Sequence, residues 1–139
     1  ISNNLKFSSY IVDITNKAFA RSALILRSFV TRDPFILSLA FTTYVRPLVE
    51  YCTPVWYPTS ASDIRLIEKV QRHFTKRITA ISSLTYFQRL KYLSLDTLEI
   101  RRLRFDLHMV YRILHNLIDL SVDSYFTQSI LSKYMLWWL

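Results

Sequence analysis

Glycine is absent from all 139 positions of this chain. Glycine-rich phosphate loops and the dinucleotide fingerprint need backbone that a phosphate can approach closely, so both classes of nucleotide site are excluded. The same absence argues against a sheet-rich fold, because the favoured two-residue hairpin turns lean on glycine. A single cysteine, Cys52, rules out an internal disulfide and leaves too few thiols for a cysteine-based metal site. Long apolar runs are lacking as well. No uncharged stretch exceeds 12 residues, the length of the one between Asp33 and Arg46, against about 20 for a bilayer span. No basic leader followed by an apolar core and a cleavage site is visible, so no signal peptide is expected. The chain opens on Ile1, as a processed or partial chain or a window of a larger protein would.

Catalytic constellations are equally scarce. His108 and His115 are seven residues apart and His73 falls in a different helix, which is not a close metal-ligand spacing. Cys52 has no identifiable histidine partner and reads as a buried structural thiol. Asp33, Asp63, Asp96 and Glu99 fall where helix caps are expected. They do not form the convergent carboxylates that two-metal phosphoryl chemistry needs.

What is present is apolar and basic. Hydrophobic residues make up 51% of the chain and aromatics 15%, enough to fill the core of one domain and to exclude the disordered class. The apolar periodicity is helical throughout. Ile11, Ile14, Ala18 and Ile25 predict an amphipathic helix from about Leu5 to Phe29. Asp33 can cap a second helix that starts on Pro34, where the missing N–H costs nothing. Phe35, Ile36, Leu39, Ala40, Thr43 and Tyr44 would give this helix a broad apolar surface and make it the most buried of the set. Pro47 should end it. Pro47, Pro54 and Pro58 then punctuate an aromatic stretch with Tyr51, Trp56 and Tyr57, which reads as a packed linker or as a short helix at Leu48–Cys52 and a turn.

Ser60 and Asp63 fit a capping box for a third long helix. Its inner stripe would be Ile64, Ile67, Val70, Phe74, Ile78 and Ile81, ending near Ile81 to Ser83. Thr85 and Gln88 fit a second box, for a short helix to about Leu93. Asp96 and Glu99 fit a third, with Leu95 and Ile100 as a staple, for a helix from about Thr97 to Leu117. The stripe expected to face inward there is Leu103, Leu107, Val110, Leu114 and Leu117. Helix lengths differ and no motif recurs at a fixed period, so no solenoid is expected. The fold class is all-α: a small helical domain of four to five helices with a proline/aromatic linker.

The charge is localised. Of the net +8, +7 lies between Arg65 and Arg104, where ten basic residues meet three acidic ones. Basic faces on two neighbouring long helices can merge into one surface suited to phosphates. An ordinary solvated helix face is the competing explanation. Tyr86, Phe87 and Tyr92 sit near this cluster, either as core residues or as stacking platforms for bases.

One set of segments is more specific than a generic helical domain. It comprises Arg32-Asp33-Pro34, the run from Tyr44 to Trp56 with Arg46-Pro47-Leu48-Val49-Glu50-Tyr51 inside it, and the run Glu68-Lys69-Val70-Gln71-Arg72-His73-Phe74-Thr75. It continues through Tyr86 to Leu95, Leu98 to Leu107 and Val110 to His115. Together these resemble the region after the palm in reverse transcriptases of non-LTR retrotransposons, the jockey-like endonuclease–reverse transcriptase polyproteins. The resemblance covers roughly Leu5 to Asp119. It implies a thumb-like and post-thumb helical region over 1–119, followed by a divergent tail over 120–139 that leaves the family pattern.

Several expectations follow from that likeness. The region would hold the backbone of an RNA–DNA or DNA duplex and would be catalytically incomplete alone. The fingers and the palm, with a Tyr/Phe-Ala-Asp-Asp motif and its Mg2+, would belong to the parent enzyme, so no cofactor is expected in this chain. Candidate backbone contacts are Arg65, Lys69, Arg72, Lys76 and Arg77, followed by Arg101, Arg102 and Arg104. The expected partners are that duplex and the upstream palm and fingers, not a membrane, with an intracellular and nuclear site of action. A non-enzymatic helical interaction domain, using 35–44 or the tail 134–139, and a free-standing nucleic-acid-binding module from a decayed element are the alternatives.

Overall fold

A computed structural model of the chain describes residues 7–58 and 60–120. In order these form α1 (Ser8–Ser28), α2 (Pro34–Tyr44), α3 (Arg46–Glu50), α4 (Thr53–Trp56), α5 (Ala61–Lys76), a 3-10 turn (Thr79–Ile81), α6 (Tyr86–Tyr92) and α7 (Leu98–Leu114). The described residues contain no strand, so the fold is all-α. The four longest helices and α6 are the five that the periodicity predicts. The proline/aromatic linker is itself wound into the single turns α3 and α4. Two compact units divide between Leu103 and Arg104. The first contains α1 to α6 and the opening of α7, and the second begins at Arg104.

Local chemistry explains most boundaries. The Asp33 carboxylate accepts hydrogen bonds from the backbone N–H groups of Phe35 and Ile36, at 2.8 and 3.1 Å, with Pro34 in the first turn. Ser60 Oγ accepts from Asp63 N at 3.1 Å. The Asp63 carboxylate does not return the bond expected of a box, and accepts instead from Ser8 Oγ of α1 at 2.9 Å. Thr85 and Gln88 form a complete reciprocal box at α6. At α7, for which an Asp96–Glu99 box is expected, two other acceptors serve the first turn. Thr97 Oγ1 accepts from Ile100 N at 3.2 Å, and Glu68, from α5, accepts from Leu98 N at 2.9 Å. A carboxylate that accepts from these orphan N–H groups also complements the positive end of the helix dipole.

The core of the first unit is built on α1, α2 and α5. Ile11, Ile14, Ala18 and Ile25 line α1, Leu37 and Phe41 come from α2, and Ile67, Val70 and Phe74 come from α5. Val45, Val49, Trp56, Ile78, Ile81, Leu93 and Leu98 close it. The rings of Phe41 and Phe74 lie 4.7 Å apart and join α2 to α5. Burial of each large apolar side chain here contributes roughly 1.5–3 kcal/mol. The stripe predicted for α5 is therefore the buried one, and Ile78 and Ile81 complete it from the connection that follows. Helical periodicity continues in that stripe although the α-helix stops at Lys76.

Three expectations are overturned by the packing. In α2, Phe35, Ile36, Leu39 and Tyr44 are exposed, whereas Leu37, Ser38, Ala40 and Phe41 are buried. An almost uniformly apolar helix carries no polar face to fix its rotation, so packing against α1, α3 and Phe74 selects the row Leu37, Phe41, Val45 as the inner one. In α7, the stripe Leu103, Leu107, Leu114 and Leu117 is exposed, and Leu98, Arg102 and Ile113 are buried instead. Cys52 is exposed rather than buried. It occupies the left-handed region at φ 52° between α3 and α4, and there the chain reverses direction with the side chain outward. The tail residues 134–139 lie outside the described residues. None of the described helices is long and apolar enough to cross a membrane.

Candidate functional site

The helix α5 is amphipathic, with its apolar stripe turned into the core. Arg65, Lys69, Arg72, Lys76 and Arg77 are all exposed. Arg65 and Arg77 are 12 residues apart, or about 18 Å at the helical rise. Between them an open cavity of about 580 Å³ lies along α5 and α6. Lys69, Arg72, His73 and Lys76 form the α5 wall, and Ser83, Leu84, Thr85, Tyr86 and Arg89 form the other. Among the described residues no carboxylate lines it. Three of the five α5 candidates thus share one concavity, at spacings of three and four that place them on one helix face. Arg65 and Arg77 flank it outside the wall.

Several of these cations are held in place. The Arg72 guanidinium lies over the Tyr86 ring, 4.4 Å from its centroid. Lys76 Nζ donates to the Ser82 carbonyl at 2.7 Å. Arg89 is 3% exposed. Its Nε donates to Thr75 Oγ1 at 3.1 Å, its Nη1 to the Leu84 carbonyl at 2.6 Å and its Nη2 to the Arg72 carbonyl at 3.4 Å. Burial lowers the Arg89 pKa and the neighbouring Arg72 charge lowers it further, against a raising influence from Tyr86. Arg89 is a fixed charge in the wall, held by three hydrogen bonds.

Tyr86 is the link between this wall and α7. Its hydroxyl donates to Glu68 Oε1 and accepts from Gln71 Nε2 at 3.2 Å. Burial, and then the Glu68 carboxylate, raise the Tyr86 pKa well above its ordinary value. The second Glu68 oxygen caps α7 through Leu98 N. Gln71 also donates to the Asp96 carbonyl at 2.9 Å. Glu68 is therefore engaged on the side of α5 that meets α6 and α7, and is not itself among the residues that line the cavity.

The three α7 candidates have different surroundings. Arg101 donates through Nε and Nη2 to the two oxygens of Glu50, at 2.5 and 3.1 Å. This forked bond, with the Glu50 charge behind it, raises the Arg101 pKa. Glu50 also meets Arg46 at 3.6 Å. Arg102 is 1% exposed, and its Nη1 and Nη2 have no hydrogen-bond partner among the described residues. Burial lowers its pKa, and the charges of Glu68, Glu99 and Glu50 oppose that shift. Arg104 is exposed and opens the second unit. The arrangement brings Lys69, Arg72 and Lys76 together and sets Arg101 and Arg102 within the fold.

Sequence reasoning did not assign His73, Tyr86 and Arg89 to this wall. His73 carries the signal in its spacing, four residues after Lys69 and three before Lys76. Tyr86 and Arg89 carry none, because their place depends on how α6 folds back on α5. Of the three aromatics near the cluster, Tyr86 is buried, Phe87 is 71% exposed and Tyr92 stacks on Phe35 with centroids 5.5 Å apart.

No protein-family model matches the chain, and no solved structure matches it. The chain is similar to an uncharacterized protein of Caenorhabditis elegans, 25% identical over 118 residues. That match covers 83% of this chain and 58% of the nematode protein, so the chain spans little more than half the length of the curated relative.

Proposed function

We propose that this chain is the thumb-like and post-thumb part of a retrotransposon-type RNA-directed DNA polymerase, and that α5 holds the phosphate backbone of the template–primer duplex. The observation that supports this best is the open cavity whose wall combines Lys69, Arg72, His73 and Lys76 without a carboxylate. Such a surface attracts a polyanion without reading its bases, as a template-independent grip requires. The resemblance in Arg46-Pro47-Leu48-Val49-Glu50-Tyr51 and in the 68–75 run adds the family context. The 139 residues do not contain the paired palm aspartates of that chemistry. This reading therefore assigns the chain a positioning role, with its site of action inside the cell and in the nucleus.

The test is binding of the purified chain to a labelled RNA–DNA hybrid across a salt series. If each basic group from Arg65 to Arg77 meets one phosphate, changing Lys69, Arg72 and Lys76 to Gln flattens the log–log salt slope by about 2.7, at roughly 0.9 per phosphate lost. A folded chain that does not bind, or a slope indifferent to those changes, would overturn the reading.

One observation favours a second reading, a helical protein-interaction domain. The outer face of α2 leaves Phe35, Ile36, Leu39 and Tyr44 exposed together. Apolar contact through that face would survive high salt, whereas the backbone contact would not.

A further inference from the structure

We infer that the cavity between α5 and α6 is a discrete seat for one phosphoryl group, with Arg72 as its principal ligand. This rests on the backbone-contact reading and narrows it from a basic helix face to a single subsite.

Three features separate this cavity from a merely solvated stripe. The first is orientation. Arg72 is stacked on Tyr86 and Lys76 is tethered to the Ser82 carbonyl, so neither cation moves freely as a surface side chain would. The Tyr86 ring is itself anchored through its hydroxyl to Glu68 and Gln71. Binding an anion to groups already held in place costs less side-chain entropy than ordering free ones. Stacking occupies one face of the guanidinium and leaves its edge N–H groups, the ones that match a phosphate, in the plane.

The second is uncompensated charge. Among the described residues no carboxylate lines the cavity; Glu68 lies behind the Tyr86 wall, bonded to the Tyr86 hydroxyl and to Leu98 N. Arg89 is part of the wall, held by bonds to Thr75, Leu84 and Arg72. It contributes positive potential to the cavity from a fixed position. Like charges brought this close without an acid repel one another, and an anion between them relieves that repulsion.

The third is size. About 580 Å³ exceeds the space of one water, ~30 Å³, many times over. It leaves room for a phosphoryl group with the sugar or hydration attached to it. The phosphoryl chemistry is the same whether it comes from an internal diester, a strand end or free phosphate.

The experiment is a titration of the isotopically labelled full chain with inorganic phosphate, against chloride at matched ionic strength, followed by NMR at arginine Nε and backbone amides. Saturable shifts confined to 69–76 and 84–89 are expected. Arg72→Gln should abolish them, Arg72→Lys should weaken binding at least threefold, and Arg65→Gln or Arg77→Gln should leave them in place. Circular dichroism first confirms that each variant is folded. Shifts that are absent, or spread evenly over Arg65 and Arg77, overturn the seat. If hybrid-duplex affinity still falls with each α5 charge removed, the backbone reading stands without it; if duplex binding is absent too, both fail. A hybrid with a 5′-phosphate is compared with the same hybrid ending in a 5′-hydroxyl. A fivefold preference supports the seat and assigns it to strand ends. Equal binding with the phosphate shifts present supports it and assigns it to internal diesters.

Discussion

Helices α5 and α7 carry the same kind of sequence and put it to opposite uses. Both alternate apolar residues with arginine and lysine at helical spacing. On α5 the cations face outward, round an open cavity, and the apolar stripe faces the core. At the opening of α7 the cations turn inward: Arg101 forks onto Glu50 and Arg102 is buried, while Leu103 is exposed. The deciding difference is the location of the carboxylates. Glu50, from α3, and Glu68, from α5, meet the first turn of α7, and Glu99 adds to them on α7 itself. No acid from another element approaches the outer face of α5 within the cavity. A basic helix becomes structural where neighbouring elements supply carboxylates and remains available to a ligand where they do not.

The sharpest way to break this comparison is at Arg102. Arg102→Ala removes a large buried side chain and should lower the unfolding free energy by about 2–4 kcal/mol. Arg102→Met keeps the volume and removes a desolvated charge whose Nη atoms are unpartnered, so it should stay within about 1 kcal/mol of the parent. Denaturant unfolding measures both. Duplex affinity of the folded Met variant should change less than twofold. The complementary variants on α5, Lys69→Gln with Lys76→Gln, should cost under about 1 kcal/mol of stability, as exposed charges do, and weaken duplex binding steeply. A large affinity loss in Arg102→Met would place the two helices in the same class.

Glu68 is the next point of leverage, because it serves α6 and α7 at once. Glu68→Gln retains the shape and loses the charge that receives the Leu98 N–H and the Tyr86 hydroxyl. Hydrogen bonds to a charged partner contribute roughly 1.5–3 kcal/mol, so a loss of about 2 kcal/mol is expected in denaturant unfolding. Amide exchange should rise first at Leu98 to Ile100. Unchanged protection there would show that Thr97 alone secures the start of α7.

What the sequence made legible follows from the same contrast. Where one residue type decided a local event, it was readable: Asp33 before Pro34, Thr85 with Gln88, and the α5 stripe through Phe74. Where the decision rested with a distant element, it was not. The α2 surface was apolar on most sides, so its inner row is selected by the elements it packs against, α1, α3 and Phe74 of α5. The part of the α7 cap that Thr97 supplies is local, but nothing in 96–99 points to the part that comes from Glu68, thirty residues earlier. The site divided in the same way. Lys69, Arg72 and Lys76 were legible as one face, while Arg101 and Arg102 were indistinguishable from them until Glu50 and the interior were seen beside them. Cys52 looked structural among aromatics, but a left-handed turn carries it outward.

Glu50 and Arg101 test the half-buried side of the comparison more gently. Their side chains are 11% and 25% exposed, between the exposed and the fully buried limits. A double-mutant cycle with Glu50→Gln and Arg101→Gln should give a coupling of about 1 kcal/mol, above the usual exposed pair and below a buried one. A coupling near zero would mean that Glu50 does not hold Arg101, and the contrast between α7 and α5 would weaken.

The smallest effect expected is an alkaline one, and its sign follows from Tyr86. The folded state raises the Tyr86 pKa, first by burial and then through Glu68, so the neutral phenol is the form that the fold stabilises. That stabilisation is fully present below the ordinary tyrosine pKa, about 10, and is lost as pH climbs above it toward the folded value. Tyr86→Phe keeps the ring under Arg72 and cannot ionise. It should therefore unfold with a shallower loss of stability than the parent between about pH 10 and 11, while near neutrality it is somewhat weaker for want of the hydroxyl bond. Phosphate and duplex binding at neutral pH should survive, because the guanidinium still rests on an aromatic face. An alkaline limb identical to the parent's would mean that the phenol leaves its buried site before it ionises, and that the wall holding Arg72 opens locally rather than with the whole fold.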